Sequence, residues 1–145
     1  MKRILVLMVA FLMLFAGTNC LAAPDVSVML NDTPLTFDVP AQIINNRTMV
    51  PVRGIFEALG CSLRWMEKER VIVATYNEYI IALQIGNTLM PIQNLITGEN
   101  KTITLDVPPQ IVPGDRTLVP IRAISEAFGA KVDWVAETYT VIISR

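Results

Sequence analysis

The stretch from Asp38 to Trp65, DVPAQIINNRTMVPVRGIFEALGCSLRW, returns from Asp106 to Trp134 as DVPPQIVPGDRTLVPIRAISEAFGAKVDW. The second copy carries one additional residue, placed in the turn ahead of Arg116, where a loop absorbs a change of length. A duplication of this kind confines the fold to solutions that use one supersecondary unit twice. Residues kept in both copies then mark demands that both must meet. The shared polar set is Asp38 with Asp106, Gln42 with Gln110, Arg47 with Arg116, Thr48 with Thr117, Arg53 with Arg122, and Glu57 with Glu126.

Each copy carries the signals of a short amphipathic helix. In the first, Pro51 suits the opening helical position, Val52, Ile55, Phe56 and Leu59 fall on one face, and Gly60 can close the helix in a left-handed conformation. In the second, Pro120, Ile121, Ile124 and Phe128 recur before Gly129, with Ser125 in place of the first aromatic. Helices of two or three turns are marginal alone in water, so each must be held by packing its apolar stripe on a sheet.

After each helix the pattern turns to β-branched runs: Ser62 to Met66 with Val71 to Thr75, and Lys131 to Val135 with Tyr139 to Ser144. Further hairpins are expected from Val26 to Leu30 with Pro34 to Phe37, and from Tyr79 to Ile85 with Leu89 to Gln93. The expectation is an α+β domain over residues 24–145, with two repeats of about 26–78 and 79–145. Short antiparallel strands would form one twisted sheet packed on the two helices.

Ahead of this unit, residues 1–23 place Lys2 and Arg3 before an apolar run from Ile4 to Ala16, then small and polar residues ending at Ala22 and Ala23. That is the three-part plan of a secretory signal peptide, cleaved after Ala22 or Ala23. The run is short against the roughly 20 apolar residues of a spanning helix, so cleavage is the expected fate and an uncleaved membrane anchor the alternative. The expected destination is extracellular, with association to the cell envelope and no membrane contact beyond the signal segment.

Without Lys2 and Arg3, ten basic residues face 13 acidic ones, a net charge of −3, and no basic cluster stands out. Binding to nucleic acid is therefore not expected. Cys61 would be the one cysteine of the processed chain and aligns with Ala130, which marks a small buried position and leaves stability to the apolar core.

The chain contains no histidine, which removes the commonest general base and a principal transition-metal ligand together. No serine lies in a G-x-S-x-G context and no glycine-rich phosphate loop occurs. No metal or cofactor is implied. The candidate binding residues are Arg47, Arg116, Trp65, Trp134, Asp38 and Asp106, placed in the loops before the helices and in the strands after them. Arginine forks can brace an irregular loop through carboxylates and carbonyls, or bind a ligand with the same groups. Bracing is the reading the duplication favours, and the tryptophans are expected to cap the core rather than to stack on sugar rings.

The segments RTMVPVRGIFEALG (Arg47 to Gly60) and RTLVPIRAISEAFG (Arg116 to Gly129), each preceded by D-V-P and followed by a Trp, resemble the stalk domain, also called the copper amine oxidase N-terminal domain. The resemblance runs from about Val26 to Ser144. It departs from the family pattern at Asn46, where a turn glycine is usual, and at Met66 and Val135, where an acidic residue often follows the Trp. It implies a non-catalytic module of exported bacterial proteins, with a small sheet wrapped around a helix. Neither catalytic nor metal residues carry over, because the oxidase metal and quinone belong to a separate domain.

Two functions follow as expectations. One is an envelope module that binds peptidoglycan, another wall polymer or a protein partner, or acts as a structural stalk, with self-association open to its edge strands. The other is a small secreted carboxylate-dependent hydrolase, or an inhibitor of one, using Asp38 and Asp106.

Overall fold

A computed structural model of the protein describes residues 24–145; the expected signal segment, 1–23, lies outside the described residues. In chain order the elements begin with β1 (Ser27–Leu30), β2 (Thr33–Pro34), β3 (Gln42–Ile44), β4 (Arg47–Pro51) and helix α1 (Val52–Ala58). A five-strand run follows: β5 (Ser62–Met66), β6 (Val71–Tyr76), β7 (Tyr79–Gln84), β8 (Leu89–Asn94) and β9 (Asn100–Thr104). Then come β10 (Gln110–Val112), β11 (Arg116–Pro120), helix α2 (Ile121–Ala127), β12 (Lys131–Val135) and β13 (Thr140–Ser144).

The architecture is α+β, but its strands form three sheets where one was expected. The central sheet has the order β10-β11-β4-β3, and β5 to β9 form a meander. The third sheet, β12-β13-β1-β2, joins the two ends of the described chain through β1 running parallel to β13. Local periodicity cannot announce that pairing, because its partners are Ser27 with Thr140 through Leu30 with Ile143.

The two similar segments meet along β4 and β11, which pair antiparallel with Val50 opposite Val119. These two valines are also the aligned positions of the two copies, as are Met49 with Leu118 and Pro51 with Pro120. Met49 faces Pro120 and Pro51 faces Leu118. Adjacent residues on a strand point to opposite faces. Val50 and Val119 accordingly enter the main core with Ile55, Phe56 and Leu59 of the first helical segment and Ile121 and Ile124 of the second. Met49 and Leu118 form a smaller cluster on the reverse face with Val107.

Both helices pack on β4 and β11. Ile55, Phe56, Leu59, Ile121 and Ile124 are buried as the periodicity predicts, while Phe128 remains half-buried and packs edge-on against Phe56, centroids 5.9 Å apart. Gly60 and Gly129 close the helices at φ +88° and +75°. Pro51 and Pro120 act one position earlier than expected, as the last strand residues and the N-caps.

The turns explain several boundaries. Asn31 and Asp32 (φ 46° and 65°) form the β1–β2 turn, so Thr33 starts β2, and that strand stops at Pro34 instead of reaching Phe37. Asn45 and Asn46 (φ 48° and 61°) make the β3–β4 turn without the usual glycine. Asparagine and aspartate tolerate this left-handed backbone better than most residues. In the second copy Pro113, Gly114 and Asp115 connect β10 to β11, which locates the one-residue insertion. β3, β4, β10 and β11 occupy segments expected to be loops before the helices, so Arg47, Thr48, Arg116 and Thr117 stand on strands.

Cys61 is buried, and burial pushes its thiol pKa up to about 11. It should resist alkylation by iodoacetamide at pH 8 in the native protein and react readily in urea, since the thiolate is the nucleophile. Gly54 aligns with Ala123, yet a Cβ at Gly54 would meet the Phe37 ring, 2.8 Å from Cε1; Phe37 aligns with Leu105. Gly54→Ala should therefore cost about 1 to 3 kcal/mol in urea unfolding through overpacking. Phe37→Leu added to it should recover much of that loss by adopting the second copy's own pairing.

Candidate functional site

The shared arginines and aspartates bind across the two copies, not within them. Arg47 Nε lies 2.7 Å from Asp106 Oδ2, and Arg116 Nε donates to Asp38 Oδ2. The exchange follows from the central seam, because antiparallel pairing of β4 with β11 brings the start of each strand toward the D-V-P segment of the other copy. Each arginine also ties its own turn: Arg47 Nη1 donates to Asn46 O and Arg116 Nη1 to Gly114 O, both at 3.1 Å. The hydrogen bond from Arg116 is the largest influence on Asp38 and holds its carboxyl below the usual carboxylate range. Both pairs are substantially exposed.

The tryptophans do not cap the core as expected. Trp65 and Trp134 are 40% and 38% exposed, because β5 and β12 are edge strands and their rings lie on the outer surface. Trp65 donates its indole N–H to the Glu67 carboxylate, whereas Trp134 packs edge-on against Tyr139, centroids 5.8 Å apart.

Three of the six candidate residues converge. Arg47, Asp106 and Trp134 line one groove of about 610 Å³. Ile103 and Lys101 of β9 contribute one edge, and Val132, Asp133 and Trp134 of β12 another. Ile121, Arg122, Ala123, Glu126 and Ala127 of α2 supply the helix surface. Arg116, Asp38 and Trp65 are not among its lining residues. The duplication could highlight Arg122 and Glu126, which both copies keep, but not Lys101 or Asp133. These align with Thr33 and Arg64, so they stand where the copies differ.

Chemically the groove offers a half-exposed aromatic face, an apolar surface of isoleucine, valine and alanine, and carboxylate and guanidinium groups near its rim. That combination suits holding an amphipathic ligand in one orientation. Among the described residues no group of three or more Cys, Asp and Glu side chains could hold a metal ion. None of their helices is long and apolar enough to cross a membrane.

The family model of the copper amine oxidase N-terminal domain matches residues 29–143. The chain belongs to that family. In copper amine oxidases this domain is a non-catalytic accessory domain. Comparison with curated proteins and with solved structures gave no match.

The exchanged ion pairs predict a small coupling. A double-mutant cycle with Arg116→Ala and Asp38→Ala should give a small favourable coupling at pH 7 that shrinks with added salt, as for other exposed pairs. Because the folded-state pKa of Asp38 is depressed, its contribution is present above the ordinary aspartate pKa and is lost as pH falls through the lower folded value. The coupling should therefore fade only at strongly acidic pH, measured by urea unfolding across a pH series.

Proposed function

We propose that this chain is an exported, non-catalytic module of the bacterial cell envelope that binds an envelope component through the groove over α2. On this reading the domain of residues 24–145 consists of two copies of one unit, about 26–78 and 79–145, joined at the β4–β11 seam. The observation that carries the proposal is the convergence of Trp134, Arg47 and Asp106 with the exposed surface of α2 in one groove. Membership in an accessory-domain family and the signal-like segment at 1–23 support the same reading.

The shared Asp–Arg pairs serve as braces, and Arg47 with Asp106 forms one wall of the site while doing so. Nothing about these carboxylates favours the hydrolase alternative. A general acid at neutral pH needs a raised pKa, and the Arg116 guanidinium moves Asp38 the other way.

Residues 24–145 should co-sediment with envelopes prepared from the producing bacterium, and Trp134→Ala should weaken that binding about tenfold, a loss of about 1.4 kcal/mol. Trp65→Ala should leave it nearly unchanged. Failure to co-sediment with native envelopes, protease-stripped walls and muramidase-treated envelopes alike would overturn the proposal.

A further inference from the structure

The groove lies at the open edges of two sheets. β9 ends the meander and β12 ends the sheet that contains β1 and β13, and both strands line the groove. The hydrogen-bond phase of β9 decides what its edge presents. Leu105 N donates to Thr88 O at 2.7 Å, and Asn94 N donates to Glu99 O at 2.8 Å. The β8–β9 register pairs Met90 with Ile103, Pro91 with Thr102 and Ile92 with Lys101. Antiparallel pairs alternate between hydrogen-bonded and non-hydrogen-bonded, so Lys101, Ile103 and Leu105 direct their main-chain groups to β8. Asn100, Thr102 and Thr104 direct theirs outward. Pro91, which has no N–H, sits opposite Thr102, where β9 requires none.

The aligned edge in the first copy is closed. β2 is also an edge strand, and Pro34 stands there at the position aligned with Thr102. Proline removes the donor that an incoming strand would use, a common protection of sheet edges. Phe37 in the same segment lies against α1 at Gly54. β9, with the sequence Asn100-Lys101-Thr102-Ile103-Thr104, has neither device. Its counterpart to Phe37 is the fully buried Leu105, and the surface of α2 at Ala123 lines the groove.

We infer that the occupant of this groove is an extended polypeptide segment of a partner protein, added as a further strand to the free edge of β9. The inference rests on the reading of the groove as a ligand site and names the ligand class. Asn100, Thr102 and Thr104 supply the main-chain donors and acceptors, and alternate side chains of the segment reach the apolar surface of Ile103, Ala123 and Ala127 beside Trp134. Lys101, Arg122 and, with the opposite sign, Glu126 line the groove without an ionic partner among the described residues, so the segment carries a carboxylate to meet the two cations and a basic group to meet Glu126. A glycan would use the tryptophan and the charges but would leave the strand edge unpaired.

The test is selection of linear 12-residue peptides displayed on phage against residues 24–145, followed by affinity measurement with the enriched peptides as synthetic probes. The expected result is enrichment of peptides with alternating apolar residues that carry both a carboxylate and a basic residue. Thr102→Pro, which deletes an outward N–H, should weaken their binding by about tenfold or more. Methylation of alternate peptide amides should do the same with every side chain kept, which guards against a folding defect in the protein variant.

In the envelope assay, binding should be lost after protease stripping and survive muramidase. Envelope binding that survives protease, or enriched peptides indifferent both to Thr102→Pro and to amide methylation, would overturn this inference while leaving the envelope reading intact. Concentration-dependent dimerisation abolished by Thr102→Pro would make the occupant a second copy of this chain and would overturn it as well.

Discussion

The seam between β4 and β11 is the constraint on which the remaining structure depends. Val50 and Val119 face each other at its centre, buried under both helices, while Met49 and Leu118 fill the reverse face with Val107. Once these strands pair, each helix emerges from its strand onto the same core. Each arginine at a strand's start meets the aspartate of the other copy. The ion pairs are exposed and individually weak, so they orient the D-V-P segments over a seam that apolar burial holds together.

Much of the local structure was legible in the sequence, because helices and hairpins write their period into neighbouring residues. The stripe of Ile55, Phe56 and Leu59, the closing glycines and the hairpins after each helix appear where the pattern puts them. The partition into three sheets was not legible, since it depends on which strand edges meet after folding. The parallel pairing of β1 with β13 is the clearest example. The tryptophans show a different limit. Their position was clear, but an aromatic in an alternating strand faces the core or solvent according to the sheet around it, and these strands are edges.

The similarity of the two segments was informative about the frame and much less so about the groove. Among the residues the two segments share, Asp38, Arg47, Asp106 and Arg116 tie the segments to each other. The groove draws its individuality from differences: Leu105 and Ala123 where the other copy has Phe37 and Gly54, Lys101 where it has Thr33, and Asp133 where it has Arg64. Two segments with one architecture can thus present unlike surfaces. Gly54 and Phe37 must change together, which ties the surface of the first copy to its helix packing.

The pairing of β1 with β13 also sets an order of events during synthesis. A ribosome releases Ser27 to Leu30 long before Thr140 to Ser144, so the first strand waits through the making of almost the whole domain before its parallel neighbour exists. Contacts so distant in sequence carry a large loop-closure cost and form late. Without β13 the third sheet cannot be completed, and β1 is left unpaired along one side. Completion is therefore gated by arrival of the distal strand, and premature termination would yield a loosely held, protease-sensitive product instead of a smaller stable domain.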